Sequence, residues 1–201
     1  MSAPGCVVSS SFHCHSNAEC TSGPAGHCEP TNYCTFTDTT CASARRYFSY
    51  SDALGGQCLP LDFEAENATL LSPMTVRDDP KASGGHYVAS DTASQGSATF
   101  HFEIGQPGSY TVWCRVLAPS SGVDSFYVTL DGGKQIEYDD ADSGGNNVWL
   151  PDWQWTQLND AFSEQVFVLA TGAHTLVFSP REAGSALDRM LITSGTFIAP
   201  D

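Results

Sequence analysis

The segment Tyr110-Thr-Val-Trp-Cys-Arg-Val116 alternates strictly. Tyr110, Val112, Cys114 and Val116 fall on one side of an extended chain, and Trp113 and Arg115 fall on the other. The pattern therefore predicts a strand with one face in a core. Similar short runs recur on either side of it: Phe63 to Leu71, His86 to Ser90, Ala98 to Ile104, Ser125 to Leu130, Lys134 to Tyr138, Trp153 to Leu158, Gln165 to Leu169, His174 to Phe178 and Leu187 to Thr193. Turn signals separate them, at Gly84-Gly85, Pro107-Gly108, Asp131-Gly132-Gly133, Gly144-Gly145 and Ala170-Thr-Gly172. Ten strands and no helix of convincing length predict an all-β fold, a jelly-roll β-sandwich.

Before Phe63 the chain changes character. Seven of the eight cysteines precede Pro60, and the larger apolar residues there are few and scattered among Ser, Thr, Gly and Pro. Such a segment cannot hold itself by a core, so a small disulfide-rich N-terminal module is expected over residues 1–60, with the sandwich over 61–201. Cys58-Leu-Pro-Leu-Asp62 marks the boundary. A zinc cluster is the competing reading, suggested by His13-Cys14-His15, but no C-x2-C pair or H-x3-H partner accompanies it. Seven is odd, so one thiol of the module lacks a local partner. Cys114 sits inside the apolar alternation and reads as a buried thiol.

Disulfides imply an oxidising compartment, so the protein is expected to be secreted and extracellular. The opening Met-Ser-Ala-Pro-Gly-Cys has neither a basic start nor an apolar run, as expected of a form from which a leader has been removed. The formal charge is −15, and from Leu61 onward 19 acids face 6 bases. A surface of this kind repels nucleic acid and anionic membrane and tolerates divalent cations. No run approaches a membrane span, so no membrane insertion is expected.

At Phe63-Glu-Ala-Glu-Asn67 the sequence resembles the opening strand of carbohydrate-binding modules of families 6 and 35, which are galactose-binding-like jelly rolls. Further matches follow in the family order. They are Gly84-Gly85-His-Tyr-Val88, Gly108 to Val116, Asp124-Ser-Phe-Tyr-Val128, Trp153-Gln-Trp155, Gly172-Ala-His-Thr-Leu176 and Leu187-Asp-Arg-Met-Leu-Ile192. The stretch from Cys34 to Cys41, with Arg45-Arg46-Tyr47 and Cys58, is similar to small cysteine-rich modules of secreted bacterial proteins.

Read as a strand, the first segment puts Glu64 and Glu66 on one face. Two carboxylates turned inward need neutralising, and a hard cation with oxygen ligands would do it. The resemblance implies that an acid of the last strand, here Asp188, completes a structural Ca2+ site with backbone carbonyls near Ser83 to Gly85. The alternative is a solvated pair facing Arg189.

Three of the four tryptophans lie within Asn146 to Trp155, a concentration that either packs on the sheet or awaits a ligand. Trp149 and Trp153 are expected as sugar platforms, with Trp155 as packing. Tyr138, Arg181 and Glu182 are expected to complete the ligand surface. Trp113 and Arg115 are a second candidate surface. One departure from the resemblance stands out: many family 6 members carry a sugar-contacting asparagine where this chain has Ala186.

The chain has no G-x-S-x-G, no H-E-x-x-H and no phosphate loop. The function expected is non-catalytic, lectin-like binding of a polysaccharide or glycan, with the cysteine-rich module available to a protein partner. The competing reading is a structural or adhesive surface protein.

Overall fold

The computed structural model describes residues 11–120, 122–139, 150–161 and 163–200. The chain divides into two compact units, one running to Leu59 and including the segment from Gly195, the other spanning Pro60–Ser194. Trp149 and Cys6 lie outside the described residues.

The small unit is built around three disulfides, Cys14–Cys28, Cys20–Cys34 and Cys41–Cys58. Its sheet has three short antiparallel strands, β1 (His27–Cys28), β2 (Cys34–Thr37) and β3 (Arg45–Tyr47). Cys14, Cys20 and Cys34 form its apolar centre, with Phe36 and Phe48 packed against them. Those sulfurs belong to disulfides, so they offer no thiolate to zinc. From the other end of the chain, the Thr196 N–H donates to Gln57 Oε1 at 2.6 Å.

The second unit is a two-sheet antiparallel sandwich. Its strands are β4 (Leu61–Glu64), β5 (Thr69–Leu71), β6 (Thr75–Asp78), β7 (His86–Ala89), β8 (Ser97–Ile104), β9 (Gly108–Ala118), β10 (Ser125–Leu130), β11 (Gln135–Asp139), β12 (Leu150–Gln157), β13 (Asn159–Asp160), β14 (Ser163–Glu164), β15 (Phe167–Leu169), β16 (Gly172–Pro180) and β17 (Ala186–Thr193). One sheet runs β11-β10-β16-β8-β5. The other runs β12-β9-β17-β7-β6, with β15 also on β9 and β4 also on β17. Nothing longer than a single 3-10 turn of helix occurs among the described residues.

Alternation decides which side chains meet between the sheets. β8 buries Ala98, Phe100, Phe102 and Ile104, and β9 buries Tyr110, Val112, Cys114, Val116 and Ala118. Phe178 meets Phe100 and Phe126 edge to face, with ring centroids 5.7 and 6.0 Å apart. Each large side chain removed from water in this way contributes about 1.5–3 kcal/mol. The β10–β11 hairpin closes over Asp131-Gly132, both at positive φ, and the Gly133 N–H donates to the Leu130 carbonyl. A left-handed turn of this kind matches strand twist.

One expected strand is split, and β6, β13 and β14 are additional to the strands expected from the sequence. The segment Phe63 to Leu71 is not one strand, because a 3-10 turn at Ala65–Asn67 separates β4 from β5. The short edge strand β6 follows Pro73 and is mostly exposed, so it carries no apolar alternation to mark it.

Candidate functional site

The last strand of the sandwich serves three neighbours. Along one edge β17 pairs with β9 throughout; along the other it pairs first with β7, through Ala186 and Leu187, and then with β4, through Arg189 to Ile192. Asp188 sits where β7 gives way to β4, and the β9 register shifts between Leu187 and Arg189. A bulge of this kind re-aims one side chain, here a carboxylate that is wholly buried.

The 3-10 turn Ser83–Gly85 fills the gap between β7 and β4. Gly84 and Gly85 both take positive φ, a conformation that costs a residue with a Cβ atom but not glycine. The Ser83 N–H donates to Asp188 Oδ1 at 2.9 Å, and the Ser83 hydroxyl donates to Glu64 Oε1 at 2.7 Å. The turn at Ala65–Asn67 brings in Glu66, whose Oε1 lies 3.5 Å from where a Cβ on Gly84 would stand. The expected trio of Glu64, Glu66 and Asp188 is thus gathered around Ser83–Gly85. The route differs from the expected one, because Glu64 and Glu66 are brought together by a turn instead of by a shared strand face.

The cluster is acid-rich and incompletely satisfied. Arg115 Nη1 donates to Asp188 Oδ2, while Arg189 is bonded to Asp62 through both Nε and Nη2 and stands 3.4 Å from Glu64 Oε1. Glu64 Oε2 and Glu66 Oε2 are buried and have no hydrogen-bond partner among the described residues. Burial raises the Glu64 carboxyl above its ordinary pKa, against the Ser83 hydroxyl and Arg189, and the charge of Glu66 adds to the rise. Burial also raises Asp188, against the donors from Arg115 and Ser83. Unsatisfied buried carboxylate oxygens are the donor type that hard divalent cations take.

Arg115 links this cluster to a second feature. Its guanidinium carbon lies 5.8 Å from the centre of the Trp153 ring. Trp153 packs against Ala82, Ala89 and Ala186, flanked by Tyr87 and Leu117, and its indole N–H donates to Asp79 Oδ2 at 3.0 Å. The Tyr87 ring centre is 5.2 Å away. Only 7% of Trp153 is exposed, so the residue expected as a sugar platform is instead a packed side chain on the sheet face, and Trp155 is the more exposed of the two. Ala186, where the chain departs from the resemblance, is one of the side chains packed with the Trp153 indole.

The remaining ligand candidates separate. Tyr138 is fully buried between Phe126 and Phe178, with its hydroxyl on Thr156, so it is a core residue and not part of a ligand surface. Its register opposite Phe126 turns it inward. Arg181 and Glu182 do come together, at the end of β16. Arg181 Nη1 is 2.7 Å from Glu182 Oε1, 3.4 Å from Glu137 Oε1 and 2.9 Å from the Ser125 hydroxyl, which donates to Glu182 Oε2 at 2.6 Å. Both side chains stay partly exposed. Sequence reading missed their neighbour Asp124, a buried acid pushed up to about 6 by burial and by the charges of Asp139 and Glu182, against Arg181. Its place beside an alternating strand was the available signal.

Two antiparallel sheets, with the first and last strands paired, form a jelly-roll sandwich. In particular, the fold is that of family 35 carbohydrate-binding modules. The family 35 module from Clostridium thermocellum is similar at 20% identity over 67% of this chain and 98% of that one, with a TM-score of 0.53. A family 35 module from Cellvibrio japonicus is similar at 14% identity over 71% and 99%, with a TM-score of 0.52. An exo-beta-1,3-galactanase from Phanerochaete chrysosporium is similar at 23% identity and a TM-score of 0.51, over 66% of this chain but only 29% of the enzyme. No protein-family model and no curated protein sequence matches the chain.

Proposed function

We propose that the chain is a secreted, non-catalytic glycan-binding protein whose sandwich carries a structural Ca2+. The observation that carries the glycan reading is likeness over nearly the whole length of two solved modules that are themselves carbohydrate-binding modules. In this reading the ligand surface is the partly exposed Arg181–Glu182 pair, and the bonds it makes with Ser125 and Glu137 support the choice. A guanidinium and a carboxylate preset by mutual bonding offer donor and acceptor to sugar hydroxyls. Ca2+ would be held by Glu64, Glu66 and Asp188. It would supply charge compensation for the buried oxygens and tie β4 to β17, with no part in any reaction. Three disulfides support an oxidising, extracellular location. No described helix is long and apolar enough to cross a membrane.

One observation favours the second reading, a structural or adhesive protein: Trp153 is covered where an open aromatic platform was expected. Affinity electrophoresis through gels containing galactan, mannan, xylan or pectin separates the two. Glycan binding requires retardation by at least one polymer and its loss in Arg181→Ala. Unretarded migration in every gel, together with self-association in sedimentation, would favour the adhesive reading.

A further inference from the structure

The small unit contains a cavity of about 330 Å3, at the lower end of the range of small-molecule sites. Its walls are the rings of Phe12, Phe36, Phe48 and Tyr50, and the Cys20–Cys34 disulfide lies at its base. Three of the rings form a continuous set, with Phe36 and Phe48 centred 5.7 Å apart and Phe48 and Tyr50 5.2 Å apart. Phe36 is backed by Gly23, where a Cβ would come within 2.7 Å of the ring. The Phe12 N–H donates to the Tyr50 carbonyl at 2.9 Å, which holds the two outer walls together. Yet Phe12 is 41% and Tyr50 49% exposed. A unit so poor in apolar residues gains most by burying its rings, and these two stay open around a void.

The cavity is also lined by the polar residues Glu19, Thr21 and Ser22. The His15 N–H at 3.0 Å and the Ser16 hydroxyl at 3.4 Å orient the Glu19 carboxylate, and each oxygen keeps capacity for another donor. Among the described residues no cationic side chain lines the cavity, and Glu19 repels an anionic ligand. The matching ligand has one C–H face, one hydroxylated edge, the size of a ring and no negative charge.

We propose that this cavity is a second sugar site, one that takes a single neutral or amino-substituted pyranose unit. The C–H face of the sugar lies against Tyr50 and Phe48, and its hydroxyl or ammonium edge faces Glu19, Thr21 and Ser22. The proposal stands on the small unit alone and does not depend on the sandwich surface. If both sites engage one polymer, the second contact becomes intramolecular and avidity rises above either affinity.

The test is a 15N–1H chemical-shift titration of the full chain with methyl glycosides of glucose, galactose, mannose and glucosamine. At least one sugar is expected to shift the amides of Glu19 to Ser22 and of Phe48 to Tyr50. Tyr50→Ala, a truncation at a half-exposed position, should weaken that response by about tenfold, in line with loss of one aromatic contact. Glu19→Gln should weaken the amino sugar more than the neutral ones. Silence of these amides toward all four sugars would overturn the proposal, and so would shifts that neither substitution diminishes. Shifts around Ser125 and Arg181 report separately on the sandwich surface.

Discussion

Trp153 illustrates how much a single side chain depends on residues far away in the chain. The alternation of Trp153-Gln-Trp155 was legible and fixed which side of β12 each indole takes. What lies on that side was not, because Ala82, Ala89 and Ala186 reach the indole from two other strands and a turn, and only register brings them there. Trp153→Phe is expected to keep most of the packing and lose the indole bond to Asp79, costing about 1–3 kcal/mol in urea unfolding. Trp153→Ala should cost about 3 kcal/mol or more. His174 has a different dependence. Its Nδ1 faces Asp131 Oδ2 at 2.7 Å and its Nε2 faces the Ala170 carbonyl at 2.9 Å, so both nitrogens are placed to donate. Burial works against the imidazolium, but these acceptors outweigh it and raise the pKa above 6.5. The stabilisation is therefore complete below pH 6.5 and disappears as pH rises through the folded value. Asp124, raised from 3.8 to about 6, acts in the same sense, with stability lost as pH climbs between those values. Asp79, Asp131 and Asp160 are lowered and act oppositely, losing stability as pH falls below their ordinary value of 3.8. Urea midpoints of the metal-free protein should rise from pH 8 to pH 5 and fall again below pH 4. Asp124→Asn should flatten the upper limb, as equilibrium unfolding at several pH values would reveal.

At the scale of elements, the behaviour of β17 sets the acid cluster. Most strands were visible as alternation bounded by glycine turns, and β8, β9, β10, β16 and β17 lie within two residues of expectation at each end. The break in the first segment was not visible, because Ala65-Glu-Asn67 carries neither glycine nor proline and turns by a single 3-10 step. The turn and the bulge at Asp188 bring Glu64, Glu66 and Asp188 around Ser83–Gly85 by a route no strand pattern marks. If a divalent ion sits there, binding to the folded state alone stabilises it by about 2.7 kcal/mol at a hundredfold excess over Kd. Millimolar Ca2+ should then raise the sandwich melting temperature by about 5–10 °C over protein in chelator, as calorimetry would record. Glu66→Gln should abolish most of that difference. A melting curve indifferent to chelator would remove the metal from the account.

Over the whole molecule, two kinds of stabilisation stand side by side. The small unit depends on three bridges that each close a loop of 14 to 17 residues, worth about 3 kcal/mol apiece in chain entropy. The sandwich contains no disulfide among its described residues, and the Cys114 thiol is buried between its sheets. Reduction with a small thiol should therefore unfold the first unit while leaving the sandwich its own cooperative transition. Near-ultraviolet circular dichroism before and after reduction would reveal that order. Cysteine density changes near Pro60, whereas the return of Gly195 and Thr196 leaves no mark in the sequence, because a short polar tail bears no pattern.

The pairing of Leu61 with Ile192 has a consequence for how such a chain is assembled and taken apart. The polypeptide enters and leaves the sandwich at neighbouring points, so Pro60–Ser194 is an insertion in the chain of the first unit. Excising Pro60–Ser194 and joining Leu59 to Gly195 through a few glycines should leave a miniature protein with all three bridges. The excised piece, sealed by its own adjoining ends, should be portable into a surface loop of an unrelated host.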